Sequence, residues 1–260
     1  MWIYKNRAKD FWTLVLLGGV AVIASYLLQA TFLTSAFLFL GLPCIYLLFK
    51  TKPKKKEAFA AVVVFGILYC FLMDYLAELN GAWAWKDSQL LFPHRILGVV
   101  SADAIIWTSL WVLLLVLFYE HMLEHDRRDV VSKKVWYVAG LGLVFIGIVL
   151  GLQLVAPAYL HITYSYFVLG LGTIPPFIYL LYARPFLLPK LLKAAVYFVP
   201  LYLIYEIVGR SLGQWDFPGQ YVGLIQIDSI TFPLEEFIFW ILLSNMIVLG
   251  GYELFIDDGK

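Results

Sequence analysis

A chain of 260 residues that is 62% hydrophobic and 14% charged, with mean hydropathy +0.84, cannot cover a water-soluble surface, since soluble domains carry about 45–50% apolar and about 25% charged residues. The net charge of +1 offers no electrostatic footprint for nucleic acid. Two cysteines, Cys44 and Cys70, lie far apart in apolar runs, which argues against a disulfide framework or a thiolate metal site.

A helix needs about 20 apolar residues to cross the hydrocarbon core. In chain order, that criterion predicts eight spans, at 11–28, 31–49, 58–79, 98–118, 135–155, 160–183, 191–209 and 231–251. The first run, from Phe11, is long enough to span and no small-residue cleavage site follows it, so it is read as a span and not as a signal peptide. Basic residues mark the cytoplasmic side. With the N-terminus inside, the five cytoplasmic segments hold three, five, four, three and one basic residues, which is 16 of the 19. Only Lys86, Arg95 and Arg210 fall elsewhere. The expected fold is therefore an all-α, multi-pass cell-membrane protein with both termini cytoplasmic. The Lys52–Lys56 cluster reads as a topology signal with affinity for anionic lipid.

The two halves resemble one another. Asp74, Gly81 and Trp83 recur as Glu206, Gly213 and Trp215, each 132 residues later. Asp103, Trp107 and Tyr119 recur as Glu236, Trp240 and Tyr252, each 133 residues later, and one residue inserted in a loop would reconcile the offsets. Two tandem four-helix repeats, 1–130 and 131–260, follow. Four spans begin and end on one side, so the repeats share an orientation and are related by a pseudo-twofold axis along the membrane normal.

Ionisable groups inside spans cost about 2.5–3.5 kcal/mol each at the bilayer centre, so those present call for a reason. The candidates are Asp74, Glu206, Asp103, Glu235 and Glu236, all near the outer ends of spans three, four, seven and eight. In Pro233-Leu234-Glu235-Glu236, proline and acids suit an ordinary helix start, but an aromatic helix follows at once. Glu236 and Trp240 are four apart, as are Asp103 and Trp107, a spacing that stacks side chains on one helix face. Adjacent carboxyls discourage double ionisation, so one of Glu235 and Glu236 stays protonated. A neutral carboxylic acid among indoles suits general-acid protonation of an alkene, and π faces stabilise the resulting cation. Trp83, Trp107, Trp215, Phe239 and Trp240 are the candidate substrate-binding rings.

Two tandem units, an acid–Gly–Trp element and Pro-Leu-Glu-Glu opening the last span together resemble the membrane lycopene cyclase domain family, over nearly the whole chain. The resemblance implies cofactor-free, redox-neutral cyclisation of the linear ends of lycopene or a similar lipophilic polyene taken from the bilayer. It implies catalytic roles for Glu235, Glu236 and Glu206, and by the repeat for Asp74. The first half departs from the pattern: Val100-Ser101-Ala102-Asp103 keeps one acid, which favours a single site formed by both halves.

Other features point elsewhere. His121-Met122-Leu123-Glu124-His125 matches an inverted zinc-peptidase pattern, but it sits at the opposite membrane face from the acids and has no counterpart in the second half, so no metal site is assigned. His161 to Tyr166 reads as interfacial anchoring, with cavity lining the alternative. Ser244-Asn245 is expected to bond a neighbouring helix, and Pro175, Pro176 and Pro200 to kink theirs. A retinal photoreceptor would need a mid-span lysine, and none exists. A carotenoid binder, a hydratase and a proton-coupled transporter stay open as alternatives.

Overall fold

Every backbone polar group in a bilayer must be satisfied internally, so apolar runs of this length fold as helices. A computed structural model describes residues 2–50, 55–124 and 129–257. It contains eight helices long and apolar enough to cross a membrane: Arg7–Leu28, Phe32–Lys50, Lys56–Leu79, Ala102–Leu123, Val135–Val155, Ser165–Ala183, Pro185–Ser211 and Glu236–Phe255, here spans one to eight. The protein is an all-α, multi-pass membrane protein. Lys52, Lys54, His125, Arg127 and Arg128, which figured in the sequence reading, lie outside the described residues.

Among the predicted boundaries that move, four have a local reason. Span four does not begin at residue 98. Leu97 and Gly98 take positive φ (52° and 75°) and turn the chain between β2 (Arg95–Ile96) and β3 (Val100–Ser101). The helix starts only where the Ser101 hydroxyl accepts from Ala104 N. It then runs five residues past the expected end, because Tyr119 and His121 have partners waiting in Glu253 and Asp10. Span six starts at Ser165, after left-handed Tyr164. Residues 231–233 belong to β6 (Ile230–Pro233), paired with β5 (Leu224–Ile227), so span eight starts after Pro233.

Span four lies at the centre, with Trp111, Val112 and Leu114 to Tyr119 buried, whereas Leu141, Leu143, Val144 and Ile148 of span five are exposed and face lipid. Spans three and four approach closely at Gly66, where a Cβ would stand 3.1 Å from Ser109 Cα, and Thr108 Oγ1 donates to Gly66 O at 2.7 Å. Small residues permit this approach where no hydrophobic effect drives association. Pro175, Pro176 and Pro200 stand inside continuous helices. Ser244 and Asn245 donate within their own helix, to Trp240 O and Leu242 O, and not to a neighbour as expected.

The halves interlock reciprocally around one contiguous core. Span one packs on span seven, and span five on span three. Gln214 donates to Ala30 O and Ser35 Oγ, holding the loop between spans one and two. Asn80 does the same for the loop before span six, bonding Leu160 O and Ile162 N. Gly81 and Gly213, 132 apart, adopt φ +67° and +66°. β1 (Ala84–Trp85) pairs antiparallel with β4 (Trp215–Asp216), so that Ala84 faces Asp216, the residue 132 further on. Tyr221 ties this junction, its hydroxyl 3.1 Å from Ala82 O. Burial pushes its phenol up to about 12, so it remains a donor at neutral pH.

At the end carrying both termini the interlock is polar. Tyr119 of span four donates to Glu253 of span eight, while the Tyr252 hydroxyl lies 2.7 Å from Glu120 Oε1 and 2.9 Å from Glu57 Oε2. Removing a donor from buried carboxyl groups costs about 1–3 kcal/mol. Tyr252→Phe is therefore expected to lower stability by about that amount, against almost nothing for the exposed Tyr137→Phe. Thermal unfolding in detergent checks this.

The one-residue offset has its explanation inside span eight. No residue is inserted in a loop: Asp103 and Glu235 are 132 apart and both accept from loop amides in the first turn of their helices. The offset becomes 133 by Trp107 and Trp240, across the π-helical segment Glu236–Leu243. A π segment is the helical signature of one inserted residue and is frequent at functional sites. Asp103 thus matches Glu235, and not Glu236, in its loop-holding hydrogen bonds.

Candidate active site

Span seven supplies the first acid. Glu206 and Gly209 lie one turn apart, and the left-handed Gly213 ends the helix and folds Trp215 back over both. A Cβ on Gly209 would stand 1.9 Å from Trp215 Cη2, so only glycine admits the indole there. The Trp215 N–H donates to Glu206 Oε1 at 3.2 Å. The π segment of span eight presents Glu236, which is 6% exposed and accepts from the Tyr166 hydroxyl at 2.5 Å. The Glu206 and Glu236 carboxyls line the same cavity. Two buried carboxyls sharing a site disfavour double ionisation, so one keeps a proton.

Around this pair lies a cavity of about 50 Å³, lined by both acids and by Phe32, Trp83, Trp85, Trp107, Tyr166, Tyr205, Trp215, Phe217 and Trp240. Its walls are packed rings, with Trp107–Trp240 centroids 4.9 Å apart and Phe32–Trp85 4.2 Å, and Tyr202 outside the lining stacks on Trp240 at 5.1 Å. The volume equals about three to five water-sized positions, each needing roughly 10–15 Å³.

The five predicted acids divide. Glu206 and Glu236 meet in the cavity. Glu235, adjacent in sequence, turns away and accepts from Val222 N at 2.6 Å, so the paired carboxyls are Glu206–Glu236 and not the neighbours Glu235–Glu236. Asp103 is filled by Leu91 N and Phe92 N at 2.7 and 2.9 Å, holding a loop. Asp74 is buried beside Trp83, as Glu78 is beside Trp85. Neither contact completes a hydrogen bond: Asp74 Oδ2, Glu78 Oε1 and both indole nitrogens lack partners among the described residues. Of the predicted rings, Trp83, Trp107, Trp215 and Trp240 line the cavity. Phe239 does not: it packs over Gly170, where a Cβ would meet its ring at 2.2 Å.

Phe32, Trp85, Tyr205 and Phe217 were missed, and Tyr166 was read chiefly as an interfacial anchor. No spacing rule links Phe32, at the start of span two, to a cavity assembled from spans four, seven and eight. Tyr166 carried a signal, because it sits in a polar run at a span start. His121 bonds Asp10 at 2.8 Å, with Tyr46 donating to the other oxygen of that carboxyl at 2.6 Å. Two more donors of the cavity lining remain without acceptors among the described residues, Trp107 Nε1 and Tyr205 Oη. Each such buried group costs about 1–3 kcal/mol when unmet.

No protein-family profile, curated protein or solved structure matches the chain.

Proposed function

We propose that this protein catalyses a redox-neutral, acid-driven cyclisation of an acyclic polyene, the reaction of the lycopene cyclases that its sequence resembles. The observation that supports the reading is the Glu206–Glu236 carboxyl pair inside an aromatic cavity. A proton from the pair adds to the inner, hydrogen-bearing carbon of the end-group alkene and leaves a tertiary cation on the outer, dimethyl-bearing carbon. The neighbouring double bond supplies its electron pair to close a six-membered ring, moving the cation into the ring. The carboxylate then takes a proton from a ring carbon, forming the new double bond and restoring the acid. Electrons and protons balance without a cofactor.

Each residue has a physical task. Tyr166 orients Glu236, and Trp215 orients Glu206. The faces of Trp107 and Trp240 stabilise positive charge, as cation–π contacts do by about 2 kcal/mol or more when desolvated. The cavity of about 50 Å³ is smaller than a ring end group, so the half-buried lining rings Trp83 and Phe217 move aside on binding. The same reading places the site in the outer half of the membrane, with both termini cytoplasmic, and treats 1–130 and 131–260 as tandem repeats sharing one site. The experiment is expression in a lycopene-accumulating bacterial host with chromatography of the pigments. Ring-bearing products are expected; unchanged lycopene co-purifying with the protein would favour a binder, hydroxylated products a hydratase.

A further inference from the structure

We infer that the aromatic cavity is built to hold a neutral, hydrogen-bond-accepting oxygen on an otherwise apolar isoprenoid chain, so that an oxygen-bearing polyene end occupies it better than a pure hydrocarbon. The inference rests on the reading of Glu206 and Glu236 as the acid pair of that same site. Four lining donors meet no acceptor among the described residues: the Trp83 and Trp85 indoles, which lie beside the Asp74 and Glu78 carboxyls, and Trp107, 9% exposed, and Tyr205, 3% exposed, which carry the inference.

The indole N–H only donates, so Trp107 calls for an acceptor. The nearby carboxyls do not serve, because neither Glu206 nor Glu236 hydrogen-bonds Trp107 Nε1 or Tyr205 Oη. An anionic acceptor would be repelled by the carboxyl pair, and a cation has no lone pair to offer the N–H and O–H donors. A neutral hydroxyl, carbonyl or epoxide oxygen meets both demands. The cavity's volume, about three to five water-sized positions, fits such a group with its first carbons. A hydrocarbon end would fill the same space and leave both donors unmet. Lycopene is then turned over but bound less tightly than an acyclic polyene with oxygen at its end.

The test uses the full chain in nanodiscs, with phytol and phytene as probes at equal mole fraction in the bilayer, since these differ by one hydroxyl. Phytol is expected to bind about 10-fold more tightly, the ratio that one satisfied hydrogen bond supports. It should also shift the Trp107 indole ¹⁵N–¹H resonance, identified by Trp107→Phe, while phytene leaves that resonance in place. Trp107→Phe combined with Tyr205→Phe should bring the affinity ratio to about one. Equal binding of the two probes by the native protein would overturn the proposal, as would a Trp107 resonance indifferent to phytol, since water alone would then be the occupant. Pigment conversion by Glu236→Gln reports separately on the acid pair. Undiminished conversion there, with the phytol preference intact, would sink the acid reading and leave the oxygen site standing.

Discussion

Glu236→Gln is expected to lower conversion of an acyclic polyene by about 10²–10⁴-fold, the contribution of a positioned general acid, while Glu235→Gln stays close to wild type. The contrast comes from where two adjacent side chains go. Glu236 enters the aromatic cavity, receives the Tyr166 hydroxyl and lines the cavity with Glu206. Glu235 holds the Val222 amide and does not line that cavity. Glutamine at 236 keeps the size and an acceptor for Tyr166, yet has no acidic proton to give. Glutamine at 235 keeps an acceptor for Val222 N, so the loop stays in place. Truncating that residue, Glu235→Ala, costs about 1–3 kcal/mol of stability through the orphaned amide. Pigment chromatography on matched amounts of folded protein separates the two roles. Equal loss in both glutamine variants would mean that the pair acts as a unit and that the cavity assignment fails.

Gly209→Ala should damage the site without touching an acid. The added Cβ would sit 1.9 Å from Trp215 Cη2, well inside any allowed contact, and the indole has nowhere to retreat. Trp215 is pinned by its pairing with Trp85 and packs against Phe32 and Tyr205. Overpacking of this kind costs about 1–3 kcal/mol. It also pulls the indole N–H from Glu206. The expected result is a lower unfolding temperature in detergent, altered tryptophan emission and reduced conversion. Gly147→Ala supplies the control, because nothing lies within 4 Å of its added Cβ. There the substitution should be neutral, or stabilise by about 0.5–1 kcal/mol through helix propensity. A Gly209→Ala protein as stable and active as the Gly147→Ala control would show that Trp215 is free to move.

Hydropathy alone established the eight crossings, because a bilayer leaves a long apolar run only one way to satisfy its backbone. The acids stood out in the sequence for a related reason: Glu206 and Glu236 carry a cost in lipid that chance would have removed. Periodicity could not rank them. Glu235 and Glu236 are equal in composition and position, and the spacing from Glu236 to Trp240 assumed an α-helix where the chain is π-helical. That single inserted residue sends Glu236 to the cavity and leaves Glu235 on the loop, matching Asp103. Backbone hydrogen bonding in its tertiary setting selects it, and no local pattern reports it. Phe32, Tyr166 and Tyr205 come from spans two, six and seven, and they meet Trp107 and Trp240 only because the two halves grip one another through Gln214, Asn80 and the Ala84–Asp216 pair. Transfer free energy is a property of residues one at a time, so it can be read along the chain. The cage is a property of which residues are neighbours in space, and packing between the halves sets that.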